Sequence, residues 1–174
     1  IFIPKFEYIK NRIISFLDSS SGNNYQADKA SDAIINGGFF GQGLGSSMQK
    51  LFYLPEQYDD FILAIIGEEL GFIFLLMLLI LYTVLYSRIF VFYRRTSKIS
   101  EFSSNIILSI VLLMLIQTIN HILVNIGLFP TKGMGLPFIS YGGTNLLLMF
   151  TYIGILIRIQ IENKQMFSQA TYKS

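Results

Sequence analysis

Three apolar stretches, each close to the ~20 residues a helix needs to cross a bilayer, constrain this chain more than any other feature. They run from about Phe61 to Tyr86, from about Asn105 to Gly127 and from about Ser140 to Ile159. Composition agrees: 52% of residues are hydrophobic and the mean hydropathy is +0.54, values of a membrane protein rather than a soluble domain. The absence of Cys removes disulfides, thiol catalysis and thiolate metal sites, and a single His argues against a His-built zinc centre. A formal charge of +2, dispersed along the chain, gives no footprint for nucleic acid.

Charge sets the orientation. Arg88, Arg94, Arg95 and Lys98 stand against only Glu101 between the first two stretches, and short loops rich in Lys and Arg stay in the cytoplasm. The expected order is an extracytoplasmic segment 1–60, a span 61–86, a cytoplasmic loop 87–104 and a span 105–127. An extracytoplasmic loop 128–139, a span 140–159 and a cytoplasmic tail 160–174 follow. Lys5, Lys10, Arg12, Lys29 and Lys50 are spread over the long first segment, where the charge rule has little force. The first residue is Ile1 and three spans enclose little, so the chain is expected to be a C-terminal portion of a longer membrane protein.

The strongest chemical signal is acid at the entrance to the first span. Residues 51–61 read LFYLPEQYDDF, placing Glu56, Asp59 and Asp60 just before it, and Glu68 and Glu69 lie inside the apolar run. A carboxylate at bilayer depth costs roughly 2.5–3.5 kcal/mol, so it faces protein or water and marks a functional path. At ~100° per residue, Asp60 and Glu68 differ by about 80° and Asp60 and Glu69 by about 180°, which makes Glu68 the better partner for the face of Asp60. The plainer alternative is that Asp59 and Asp60 cap a helix N-terminus.

Other segments carry less. Ile1 to Leu17 has the spacing of an amphipathic helix at an interface or of the tail of a preceding span, and Ala27 to Ile35 that of a short helix. The glycine-rich stretch Gly37 to Gly45 lacks a preceding strand and the Walker spacing, so a flexible link is favoured over an anion-binding loop. The loop from Leu128 to Asn145 places two prolines, several glycines and Lys132 where irregular backbone meets membrane depth. Such backbone is tolerated only when buried in protein or lining a wet cavity. Lys132 suits either an anionic head group or an interfacial anchor. Gln117, Asn120, His121 and Asn125 make the second span polar, and interhelical hydrogen bonding accounts for them.

Taken together, the motifs resemble the SEDS family of bacterial shape, elongation, division and sporulation proteins. The matching residues are Arg12 to Asp18, Tyr25-Gln26, Gly41 to Gly45, Gln49-Lys50, Leu54-Pro-Glu56, Asp60-Phe61 and Gly67 to Gly71. Pro130 to Gly133 and Leu136 to Gly143 complete the set, in family order, from about Arg12 to Arg158. Tyr25-Gln26 and Pro130 to Gly133 look more like the division branch than the elongation branch. Departures are Tyr58-Asp59 where the family usually has His-Thr, Gly142-Gly-Thr-Asn145 where it has Gly-Gly-Ser-Ser, and His121 in place of a usual Asn.

The resemblance implies an all-α integral membrane fold of roughly ten helices. This chain would supply its last three transmembrane helices and the large extracytoplasmic loop. It implies a peptidoglycan glycosyltransferase that polymerises lipid II at the outer face of the inner (cytoplasmic) membrane, for division or shape. The implied partners are a class B penicillin-binding transpeptidase and other divisome membrane proteins. The family's proposed catalytic base falls on Asp60. Lys50, Lys132, Glu68 and Ser140 are candidates for holding substrate. Asp59 and Glu56 are candidates for a divalent cation, Mg2+ or Mn2+. The extra acid at Asp59 either makes Asp60 a stronger base by like-charge repulsion or helps hold that cation. The rival functions are a lipid II flippase and a non-catalytic divisome scaffold.

Overall fold

The structure, a computed structural model, describes residues 25–46, 59–130 and 133–172. All its regular elements are helices: α1 (Tyr25–Gly37), α2 (Ile62–Thr96), α3 (Glu101–Asn125) and α4 (Gly143–Tyr172). Three of them, α2, α3 and the Gly143–Met166 part of α4, are long and apolar enough to cross a membrane. The chain is a multi-pass membrane protein.

The helix α2 has 35 residues, which at 1.5 Å each is about 52 Å, well beyond a ~30 Å hydrocarbon core. It is two helices joined at a break at Gly71 (φ 81°, ψ 177°). Before the break Leu63, Ala64, Ile65, Gly67 and Glu68 are buried, covered by α1 and α3. After it Phe72, Ile73, Leu76, Met77, Ile80 and Leu81 are exposed apolar side chains. The break thus separates a protein-packed first piece from a piece built to face hydrocarbon or further helices.

A break in a helix leaves backbone groups without partners, and at membrane depth each must be satisfied. The glycine-rich stretch does this. Glu68 O accepts from Gln42 N–H at 2.9 Å and Glu69 O from Gly43 N–H at 3.0 Å. In return Phe72 N–H donates to Gly38 O at 2.9 Å and Ile73 N–H to Phe39 O at 3.3 Å. In an unbroken helix Glu68 and Glu69 would have bonded Phe72 and Ile73 directly. The expectation of a flexible link is therefore corrected: residues 38–43 are docked against α2. Glycine is required there because a Cβ on Gly71 would collide with Gly41 N, Phe39 O and Phe40 C.

At their connected ends α2 and α3 continue through most of the segment expected as a loop over 87–104, leaving only residues 97–100 between them. Arg94 and Arg95 lie in the last turn of α2 and Glu101 in the first turn of α3, each complementing its helix dipole. Ser100 caps α3, its Oγ accepting from Ser103 N–H. Charged ends do not end a helix.

The α3–α4 connection turns back into the bundle. Tyr82 Oη donates to Pro137 O at 2.5 Å, and Gln117 Nε2 donates to Gly135 O at 2.6 Å and to Asn145 Oδ1 at 2.8 Å. Gln117 lies eight residues before the end of α3, about 12 Å along the helix, so the loop reaches that far inward. Leu136 and Ser140 are buried. At Gly135 to Pro137 and at Ser140 this irregular backbone is covered by protein, as its depth demands. From there α4 packs Met149 against Ile110 and Met114 of α3, with Tyr152 and Leu156 alongside Leu85 and Tyr86 of α2.

Candidate functional site

The start of α2, the last turns of α3 and the re-entrant loop converge on Asp60. The helix N-cap is Phe61, and its side chain makes no capping bond, so Asp59 and Asp60 do not take the capping role that was their plainer alternative. Asn125 supplies the cap from the neighbouring helix. Its Oδ1 accepts from Ala64 N–H at 2.9 Å, while Nδ2 donates to Asp60 O and to His121 O, each at 2.9 Å. Asn125 is fully buried, so its amide is committed to backbone on both elements. That fixes the position from which the Asp60 side chain departs.

The Asp60 residue is 5% exposed, and its Oδ2 accepts the Gly133 N–H at 3.1 Å. A backbone donor of this kind fixes the direction in which the carboxylate points. Beside it lies a cavity of about 10 Å³ lined by Asp60, Asn120, His121, Val124 and Met134, room for one water or one hydroxyl group. His121 is 1% exposed, with Nδ1 at 3.2 Å from Met134 O. A carbonyl only accepts, so Nδ1 carries the hydrogen, and in the neutral ring Nε2 is left as an acceptor. No hydrogen-bond partner reaches that Nε2 among the described residues. Asn120 Nδ2 returns to its own helix, donating to Ile116 O at 3.0 Å.

The adjacent acid faces elsewhere. A Cβ on Gly135 would strike Asp59 Oδ1, and one on Gly142 would sit 3.8 and 3.9 Å from the two Asp59 carboxylate oxygens. Asp59 therefore nestles against the glycines of the re-entrant loop, while Asp60 turns to Gly133. Ser140, a candidate for holding substrate, ties this arrangement together: its Oγ donates to Asp59 O at 2.8 Å and accepts from Leu136 N–H at 2.5 Å. It is buried.

Glu68 is 1% exposed and lies eight residues, about 12 Å, inward of Asp60. Its backbone packs on Gly37 at the α1–α2 contact, and it does not line the Asp60 cavity among the described residues. Lys50, Glu56 and Lys132 lie outside the described residues. Among the described residues no three His, Asp or Glu side chains form a metal-binding group. A Mg2+ ion uses only one or two carboxylates together with substrate phosphates. Sequence reasoning passed over the capping role of Asn125 and the anchoring role of Gln117. Their signal was present as amides on an apolar helix, but their partners are not deducible from spacing.

The family model for cell cycle proteins of the FtsW, RodA and SpoVE type matches residues 1–165. The chain is 40% identical over 168 residues to a probable peptidoglycan glycosyltransferase FtsW of Pseudoalteromonas translucida, covering 94% of this chain and 42% of that protein. It is 42% identical over 161 residues to the protein of the same description from Coxiella burnetii, covering 90% and 43%. For its counterpart in Buchnera aphidicola from Acyrthosiphon pisum the identity is 41% over 167 residues, covering 94% and 42%. The chain thus spans less than half the length of these relatives. It belongs to the FtsW, RodA and SpoVE family of cell cycle proteins.

Proposed function

We propose that this chain forms part of a division-type peptidoglycan glycosyltransferase, polymerising lipid II at the outer face of the cytoplasmic membrane, with Asp60 as general base. One observation carries the reading: in a chain of this family, the buried carboxylate of Asp60 is held by Gly133 N–H beside a cavity with room for one hydroxyl. As the acceptor sugar's hydroxyl oxygen attacks the donor's anomeric carbon, its proton passes to Asp60. The bond from that carbon to the lipid diphosphate breaks, the diphosphate leaves, and the anomeric centre inverts. A base oriented before the reaction contributes typically 10²–10⁴-fold.

The diphosphate's charge calls for cationic partners, for which Lys50 and Lys132 are the candidates on this chain. A divalent cation, Mg2+ or Mn2+, held by Asp59 and Glu56 would neutralise charge on the leaving diphosphate. His121 and Asn120 border the pocket that receives the hydroxyl, and Asn125 keeps Asp60 in place. Glu68 is a positioning candidate deeper along α2. A class B penicillin-binding transpeptidase and other divisome proteins are the expected partners.

The test is a gel assay of lipid II polymerisation by the full-length protein with its transpeptidase, wild type beside Asp60→Asn. Polymer from wild type and none from an equally well-folded mutant is the expected outcome. A flippase would move lipid II across vesicles without elongating it, and a scaffold would tolerate the neutralised side chain.

A further inference from the structure

We propose that the cytoplasmic half of the α2–α4 groove is a binding slot for one anionic phospholipid of the inner leaflet. Its acyl chain would lie between the helices and its phosphate on the arginines at the groove's lower end. The slot is a cavity of about 400 Å³. Leu85, Ile89 and Phe92 of α2 form one wall, and Tyr152 and Leu156 of α4 form the other. Phe138, from the re-entrant loop, lies at its upper end. Arg95 borders it below, Arg88 stands between Leu85 and Ile89 along the α2 wall, and a second cavity of about 800 Å³, lined by Arg94, Arg95 and Lys98, shares Val91 and Arg95 with the slot.

Two features select a lipid. The first is length. From Leu85 to Arg95 the helix rises about 15 Å, half of a ~30 Å hydrocarbon core, so the slot spans one leaflet. The second is charge. Arg88, Arg94, Arg95 and Lys98 form no ion pair among the described residues, whereas Arg158 is paired with Glu162 at 3.0 Å. Basic pockets at this level suit phosphate head groups. The slot is also braced, because Asn163 Nδ2 donates to Thr96 Oγ1 at 2.9 Å and holds the cytoplasmic ends of α2 and α4 together.

The experiment uses the full-length protein in phosphatidylcholine vesicles carrying phosphatidylglycerol with a photoreactive group on its acyl chain. Labelling should map to 85–92 and 152–156 and exceed that from the equivalent photoreactive phosphatidylcholine. Joint Arg94→Gln and Arg95→Gln substitution should weaken it about fivefold per charge removed. Leu156→Trp narrows the slot at its α4 wall while leaving every charge and the orientation signal intact, and it should reduce labelling of those segments. Equal labelling by the two lipids, undiminished labelling in Leu156→Trp, or displacement by millimolar inorganic phosphate would overturn the proposal. So would unlabelled slot segments in the wild type, since another helix would then occupy the groove.

Discussion

At the scale of the residue, Asn125 joins two elements through one amide. It accepts from Ala64 N–H and donates to the carbonyls of Asp60 and His121 in a fully buried position. Replacing it with Leu strands those groups, at about 1–3 kcal/mol for each buried group left unsatisfied. Asn125→Leu should therefore lower the midpoint of thermal aggregation, followed by size-exclusion chromatography in detergent, and reduce polymerisation. An unchanged midpoint would mean that the capping bond is not formed. Ser140 offers a sharper contrast between two roles. As a tie between Asp59 and Leu136, its loss in Ser140→Ala should destabilise by about 1–2 kcal/mol and leave the lipid II concentration dependence alone. A raised half-saturating concentration at unchanged stability would place it at the substrate.

At the scale of the element, the broken helix α2 is the feature on which the outer architecture depends. Gly71 adopts a conformation that is essentially confined to glycine, and backbone from residues 39–41 approaches where a side chain would stand. Gly71→Ala combines strain of about 1–3 kcal/mol with that collision, and the four bonds exchanged with residues 38–43 cannot form around it. The expected result is loss of most folded protein on extraction into detergent. A variant as stable as wild type would show that α2 runs straight. The re-entrant loop depends on Gln117 in the same way, since its single amide nitrogen holds both Gly135 O and Asn145 Oδ1. Gln117→Leu should leave the three spans inserted but release the loop. Limited proteolysis would then cut between 133 and 142 faster than in wild type, and equal rates would count against the anchor.

At the scale of the whole molecule, the three spans were legible because apolar runs of bilayer length admit few other folds. Their ends were not, since Arg94, Arg95 and Glu101 satisfy helix dipoles as readily as they occupy a loop. The glycine stretch looked like a link because its partners, Glu68 to Ile73, lie some thirty residues away, and no spacing rule pairs backbone with a helix break. Asp60 stood out as an acid at a membrane entrance. The group that orients it, Gly133 N–H, is 73 positions distant and invisible to periodicity. Two neighbouring acids of similar appearance in the sequence thus acquire different surroundings, Asp60 beside the hydroxyl-sized cavity and Asp59 among the loop glycines. The central claim is that only the first of them is the base. The direct measurement is lipid II polymerisation by full-length Asp59→Asn and Asp60→Asn proteins, each over a series of Mg2+ concentrations. The account predicts that Asp59→Asn loses activity partially and regains it as Mg2+ rises, whereas Asp60→Asn makes no polymer at any concentration. Polymer from folded Asp60→Asn would contradict it.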